Sequence, residues 1–128
     1  MIPQSTYNTR RFYIMKYNPF QHLPEVHMTP TVTRKLLAYE DSEGGYTINY
    51  MQAKAGTQAP LHNHPHRQVV YMLSGKGVFR CGEELQALVP GDVIQIDPDI
   101  LHTFDSITED AAWLEFFTPQ REDYRPEA

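Results

Sequence analysis

From about residue 30 onward the chain alternates short apolar runs with Gly- and Pro-containing breaks. The runs are Val32–Tyr39, Tyr46–Ala53, Gln68–Ser74, Val78–Cys81, Glu84–Val89, Val93–Ile96, Leu101–Phe104 and Ala111–Thr118. Each has a length and composition that predict a strand. The breaks between them read as turns: Glu43–Gly45, Gly75-Lys76-Gly77, Pro90-Gly91-Asp92 and Asp97-Pro98-Asp99. No segment sustains an apolar period of 3.6 residues, and only Leu36-Leu37-Ala38 offers a short helical window. Many short strands at regular spacing predict an all-β sandwich or barrel with little helix, for which a jelly roll is one solution.

Composition narrows the picture. The chain has 128 residues, the size of one domain, with 21% charged and 41% hydrophobic residues, as expected of a globular protein rather than a disordered one. Residues 1–30 read as an irregular N-terminal extension rich in Pro, Tyr and Asn, and residues 31–128 as the domain. The net charge of −5 and the lack of a basic stripe argue against nucleic acid, since Arg10–Arg11 is too short to serve. The lone cysteine, Cys81, excludes an intrachain disulfide and reads as an inert thiol in a reducing compartment. No apolar run approaches the ~20 residues of a membrane span. Met1–Phe20 has no secretory pattern either, so the expected location is the cytoplasm.

The chemistry concentrates in His62-Asn63-His64-Pro65-His66-Arg67-Gln68. On an extended backbone His62, His64 and Gln68 share one face, because side chains two apart point the same way. Imidazoles and an amide oxygen suit a borderline divalent metal. A further ligand is then expected from elsewhere, and His102, beyond a Pro-containing turn, is the best placed. His66 reads as exposed or as a support behind the ligands, and His22 and His27 read as surface residues. In Ala111–Thr118 the alternation places Trp113, Glu115 and Phe117 on one face. A carboxyl among aromatics is unusual for a solvent face and suits a lumen, where desolvation raises its pKa toward acid–base work.

A wider pattern resembles the cupin superfamily. Gly56, His62, His64, Gln68 and Gly75 stand at the spacing of the first cupin motif, with Gln68 where Glu is usual. Pro90 to His102 resembles the second motif, with Asp97 and Asp99 in place of the common Pro and Gly. The resemblance implies a double-stranded β-helix, or jelly-roll barrel, with one divalent transition metal (Ni, Zn, Mn or Fe) on His62, His64, Gln68 and His102.

Three local features resemble a narrower group, the small cupins of pectin and alginate breakdown that convert 4,5-unsaturated uronates into linear keto sugars. They are His62–Gln68, with glutamine as a ligand; the strand Val69-Val70-Tyr71-Met72-Leu73-Ser74-Gly75; and the ending Phe117-Thr118-Pro119-Gln120-Arg121-Glu122-Asp123-Tyr124. The resemblance covers about residues 34–124. The group's proposed active-site residues fall on Glu115, Phe117 and Arg121, with Glu115 where the group has aspartate. The resemblance implies that Glu115 moves a proton and that Arg121 clamps a substrate carboxylate in a two-pronged pair. All the implied metal ligands are neutral, so the ion's full charge faces a small anionic substrate. Other readings remain: an Fe(II) dioxygenase, an isomerase or cyclase on another small acid, and a non-catalytic binder of a small ligand. A homodimer is expected, with Tyr7, Phe12, Tyr13, Tyr17 and Phe20 as interface material.

Overall fold

A computed structural model of the chain describes residues 15–126. Tyr7, Phe12 and Tyr13 lie outside the described residues. The strands are β1 (Glu25–Thr29), β2 (Val32–Glu40), β3 (Tyr46–Ala53), β4 (Arg67–Cys81), β5 (Glu84–Leu88), β6 (Val93–Ile96) and β7 (His102–Thr118). All pairings are antiparallel, in the order β1-β2-β3-β7-β4-β5, with β6 on β4. Among the described residues the only helical pieces are 3-10 turns at Phe20–His22 and Glu122–Tyr124.

β3 and β6 form where the alternation predicts them. β2 and β5 also form within one residue of the predicted bounds, and the structure corrects the reading at the points that follow. Gly75-Lys76-Gly77 is not a turn. β4 runs straight through it, and β7 likewise absorbs the gap between Leu101–Phe104 and Ala111–Thr118. The ladder between β4 and β7 slips repeatedly from Met72 to Phe79, the mark of β-bulges. Gly75 sits there with φ of 77°, and a Cβ on it would lie 2.1 Å from the Asp110 carbonyl oxygen. Glycine is therefore needed for a bulge, which composition does not distinguish from a turn. The bend lets one strand serve two neighbours: Gln68–Tyr71 pairs with β6, and Gly77–Cys81 pairs with β5.

Leu36-Leu37-Ala38 is strand, not helix. The β2–β3 register slips between Leu36 and Ala38, leaving Leu37 as the extra residue. Its carbonyl accepts instead from Asn18 Nδ2 at 2.9 Å. The extension is also less irregular than it reads: Glu25–Thr29 pairs with β2 as an exposed edge strand. Val26 and Met28 alternate with Glu25, His27 and Thr29, a short period-two pattern that the Pro-rich surroundings mask, and every position of the strand stays exposed. Nearby, Phe20 packs edge-on against Tyr50 at 4.9 Å, and the Lys35 ammonium lies 4.1 Å over the Phe20 ring.

The core is built by inward positions. On β3 these are Thr47, Asn49, Met51 and Ala53. Met51, Val70, Met72, Phe79, Phe104, Ile107 and Trp113 form its apolar cluster. Burying each large side chain contributes about 1.5–3 kcal/mol. Cys81 packs against this cluster, and burial pushes its thiol pKa up, which suits the inert reading.

Candidate metal centre

Three structural devices bring the predicted ligands together. His62 forms a bridge with His102, with backbone N–H···O distances of 3.1 and 2.9 Å in the two directions. The chain then leaves the sheet for residues 63–66, so His64 reaches the lumen from an irregular segment. Gln68 projects inward from β4. The convergence thus differs from the single extended run that parity assumed: Pro65 breaks the strand, and the bridge replaces it. The ring nitrogens of His62, His64 and His102 lie within 4.8 Å of one another. His64 and His102 are buried, whereas His62 lies exposed at the rim.

Each imidazole is locked from behind. His64 Nδ1 lies 3.1 Å from the His66 carbonyl, His102 Nδ1 2.7 Å from that of Ile100, and His62 Nδ1 3.3 Å from that of Pro60. A carbonyl only accepts, so each Nδ1 donates its hydrogen and each Nε2 is left with a lone pair. Gln68 Oε1 stands 2.9 Å from both His64 Nε2 and His102 Nε2. Acceptors converging on one point with no donor among them suit a cation, and carbonyl-locked histidines are the usual support of metal ligands. The donor set therefore fits a divalent transition metal. Burial holds the His64 and His102 pKa values down, His102 to about 4, so both rings are neutral near neutral pH, as ligation requires. His66 supports the centre through its carbonyl, while its ring packs 5.3 Å from His64. His22 and His27 are exposed.

Of the three residues proposed for chemistry, Phe117 and Arg121 lie beside the centre, and Glu115 stands two residues along β7 from Phe117. Phe117 is buried, with its ring 5.4 Å from His64. Glu115 Oε1 accepts from Trp113 Nε1 at 3.0 Å, and burial pushes the carboxyl pKa above the ordinary value. Arg121 lies 4.9 Å over Phe117 and 4.3 Å over Tyr124. Its fork is already engaged: Nε and Nη2 donate to the two Asp123 oxygens at 3.0 and 2.7 Å. That pair holds the Asp123 carboxyl below its ordinary pKa.

The sequence reading missed several residues of this lumen. Thr47 Oγ1 accepts from Arg121 N at 2.8 Å and pins the tail across the barrel. Tyr124, to which the sequence assigns no role, packs on Phe117 and lies against the Arg34 and Arg121 guanidiniums. Asn49 is fully buried. Parity within Tyr46–Ala53 was the available signal for Thr47 and Asn49, since both alternate with Met51. Arg34 had none, and Tyr124 had only its place at the close of the Phe117–Tyr124 ending.

Comparison with known proteins agrees with this architecture. A protein of Streptomyces coelicolor of uncharacterised function is 26% identical over 77 residues, covering 60% of this chain and 73% of the relative. The structure of KdgF from Halomonas sp. superposes with a TM-score of 0.78 at 20% identity, covering 86% of this chain and 100% of that one. Ectoine synthase from P. lautus gives 0.73 at 20% identity, covering 84% and 80%. At such identities the two likenesses establish the fold. The profile of the Cupin domain matches residues 49–117, more than half of the chain and including every proposed ligand. The chain belongs to the cupin family.

Proposed function

We propose that the lumen converts a 4,5-unsaturated uronate into its linear keto isomer. The observation that carries this reading is the donor set: three imidazoles and an amide, with no carboxylate, beside a buried carboxyl on Glu115. A neutral ligand set leaves the ion's positive charge to an anionic substrate. When bound, the ion supplies Lewis-acid polarisation of a substrate oxygen. The Phe117–Tyr124 ending and the His62–Gln68 motif support the sugar acid as the anion.

The reaction is an isomerisation, and its atoms balance without water or oxidant. The anomeric hydroxyl loses its proton as the bond from C1 to the ring oxygen breaks, which leaves an aldehyde and an enol. The enol then loses its hydroxyl proton and gains one at C4. Glu115 suits the second exchange, because burial raises its carboxyl pKa above the ordinary value and so favours the form that can donate a proton. Phe117 walls the ring, and Arg121, whose Nε and Nη2 are held by Asp123 and so do not form the expected two-pronged clamp, offers the substrate carboxylate its charge. The metal-loaded chain should bleach the ultraviolet absorbance of an unsaturated uronate, and His62→Ala should not. Equal rates in the two proteins would remove the metal from the reaction, and no bleaching by either would sink the reading.

A further inference from the structure

A buried amide faces the lumen with nothing to bond. Asn49 occupies an inward position of β3 between Thr47 and Met51. Its side chain is 0% exposed, and neither Oδ1 nor Nδ2 has a hydrogen-bond partner among the described residues. Such an amide has given up water for an acceptor and two donors, a cost that folded proteins seldom carry without a use.

Its place in the sheet points to the use. The register partner of Asn49 on β7 is Glu115, and the next row holds Thr47, Phe117 and Gln68. Asn49 and Glu115 therefore sit side by side, two residues along the strands from the row of a proposed ligand, or about 7 Å. A six-membered ring anchored at the metal centre by its carboxylate spans that gap. Water does not compete for the closed amide, and Glu115 stands beside it as its register partner.

We infer that Asn49, beside Glu115, reads a ring hydroxyl of a polyhydroxylated acid held in the lumen, and so sets which small acids the chain accepts. The inference rests on the reading of the lumen as a sugar-acid site and adds the residue that distinguishes a hydroxylated acid from a bare one. The hydroxyl donates to Oδ1 and accepts from Nδ2. An acid without it leaves the amide orphaned, which is how sites built for a hydroxyl reject analogues that lack one.

The test uses the metal-loaded full chain with two probes, D-galacturonate and tetrahydropyran-2-carboxylate, which share ring and carboxylate and differ in hydroxyls. Calorimetry reads each dissociation constant for wild type, Asn49→Leu and Asn49→Val. Wild type should hold galacturonate at least about tenfold tighter, and the variants should bring the two probes within about twofold by weakening galacturonate. The variants should melt no lower than wild type, because an orphaned polar group has been replaced by an apolar one. Selectivity retained in a folded variant overturns the inference, and so does a wild type that treats the probes alike. A lower melting temperature in both variants also overturns it, by giving the amide a structural partner. Galacturonate has no 4,5 double bond to lose, so this result and the bleaching assay succeed or fail separately.

Discussion

The apolar core and the metal centre are built from the same strands, yet they differ in what each inward position must supply. Phe79 marks the border: its ring stacks on His102 at 6.1 Å and meets Phe104 edge-on at 5.0 Å. Trp113 marks it again, packing 4.4 Å from Phe104 while its indole nitrogen donates to Glu115. On the core side a position must supply volume, and another side chain of similar size would serve. On the metal side it must supply a lone pair at one place, and the backbone carbonyls of Pro60, His66 and Ile100 determine which nitrogen offers it. Strand alternation decides that a side chain points inward; the chemistry of its tip decides what the interior does.

The largest break in this comparison is expected from Trp113→Ala. It empties a packed site, and large aromatic truncations cost about 3–5 kcal/mol, read as a lower urea midpoint. His64→Ala should do the reverse. It should lose metal affinity by more than the 10–100-fold typical of a supporting residue, with a much smaller change in the metal-free midpoint. If both variants lost stability equally, the two regions would not be separable in this way.

Acid should sharpen the distinction. His102 has its pKa lowered from 6.5 to about 4 by burial, so below 6.5 the unfolded chain binds a proton that the folded chain refuses. Stability is then fully present above 6.5 and falls as the pH drops toward about 4. The metal-bound chain should lose stability more steeply over the same range, because protons and the ion compete for the same nitrogens. Chemical denaturation at several pH values, with and without metal, checks both.

Legibility in the sequence divides along the same line. Tyr46–Ala53 and Val93–Ile96 were readable because alternation and flanking turns agree there. His62, His64, Gln68 and His102 were readable because ligand chemistry leaves a residue signature at a recognisable spacing. The bulges at Leu37 and Gly75 were not, since a bulge changes register without changing composition. Asn49 was passed over because an asparagine in a strand resembles a surface residue until its parity is compared with Met51. Tyr124 joins the lumen only because Thr47 and the pair between Arg125 and Asp41 hold the tail in place, contacts made across 74 and 84 residues of sequence.

The smallest expected effect concerns Asp99, where this chain departs from the glycine common in the second cupin motif. Asp99 has φ of 67°, the left-handed region that glycine enters freely and aspartate tolerates. The departure thus keeps the backbone conformation that the glycine would supply. The conformation matters to the centre because Asp99 N donates to the His64 carbonyl at 2.8 Å, bracing the segment that carries a proposed ligand. Asp99→Gly should stay within about 1 kcal/mol of wild type, since relief of the side-chain strain is offset by greater freedom in the unfolded chain. Asp99→Val should cost about 1–3 kcal/mol, because a β-branched residue fits that region poorly. It should also weaken metal binding several-fold while leaving the packing around Trp113 intact. Thermal melts and metal titrations of the two variants separate these outcomes, and a Val variant that binds metal as wild type does would show that the turn does not brace His64.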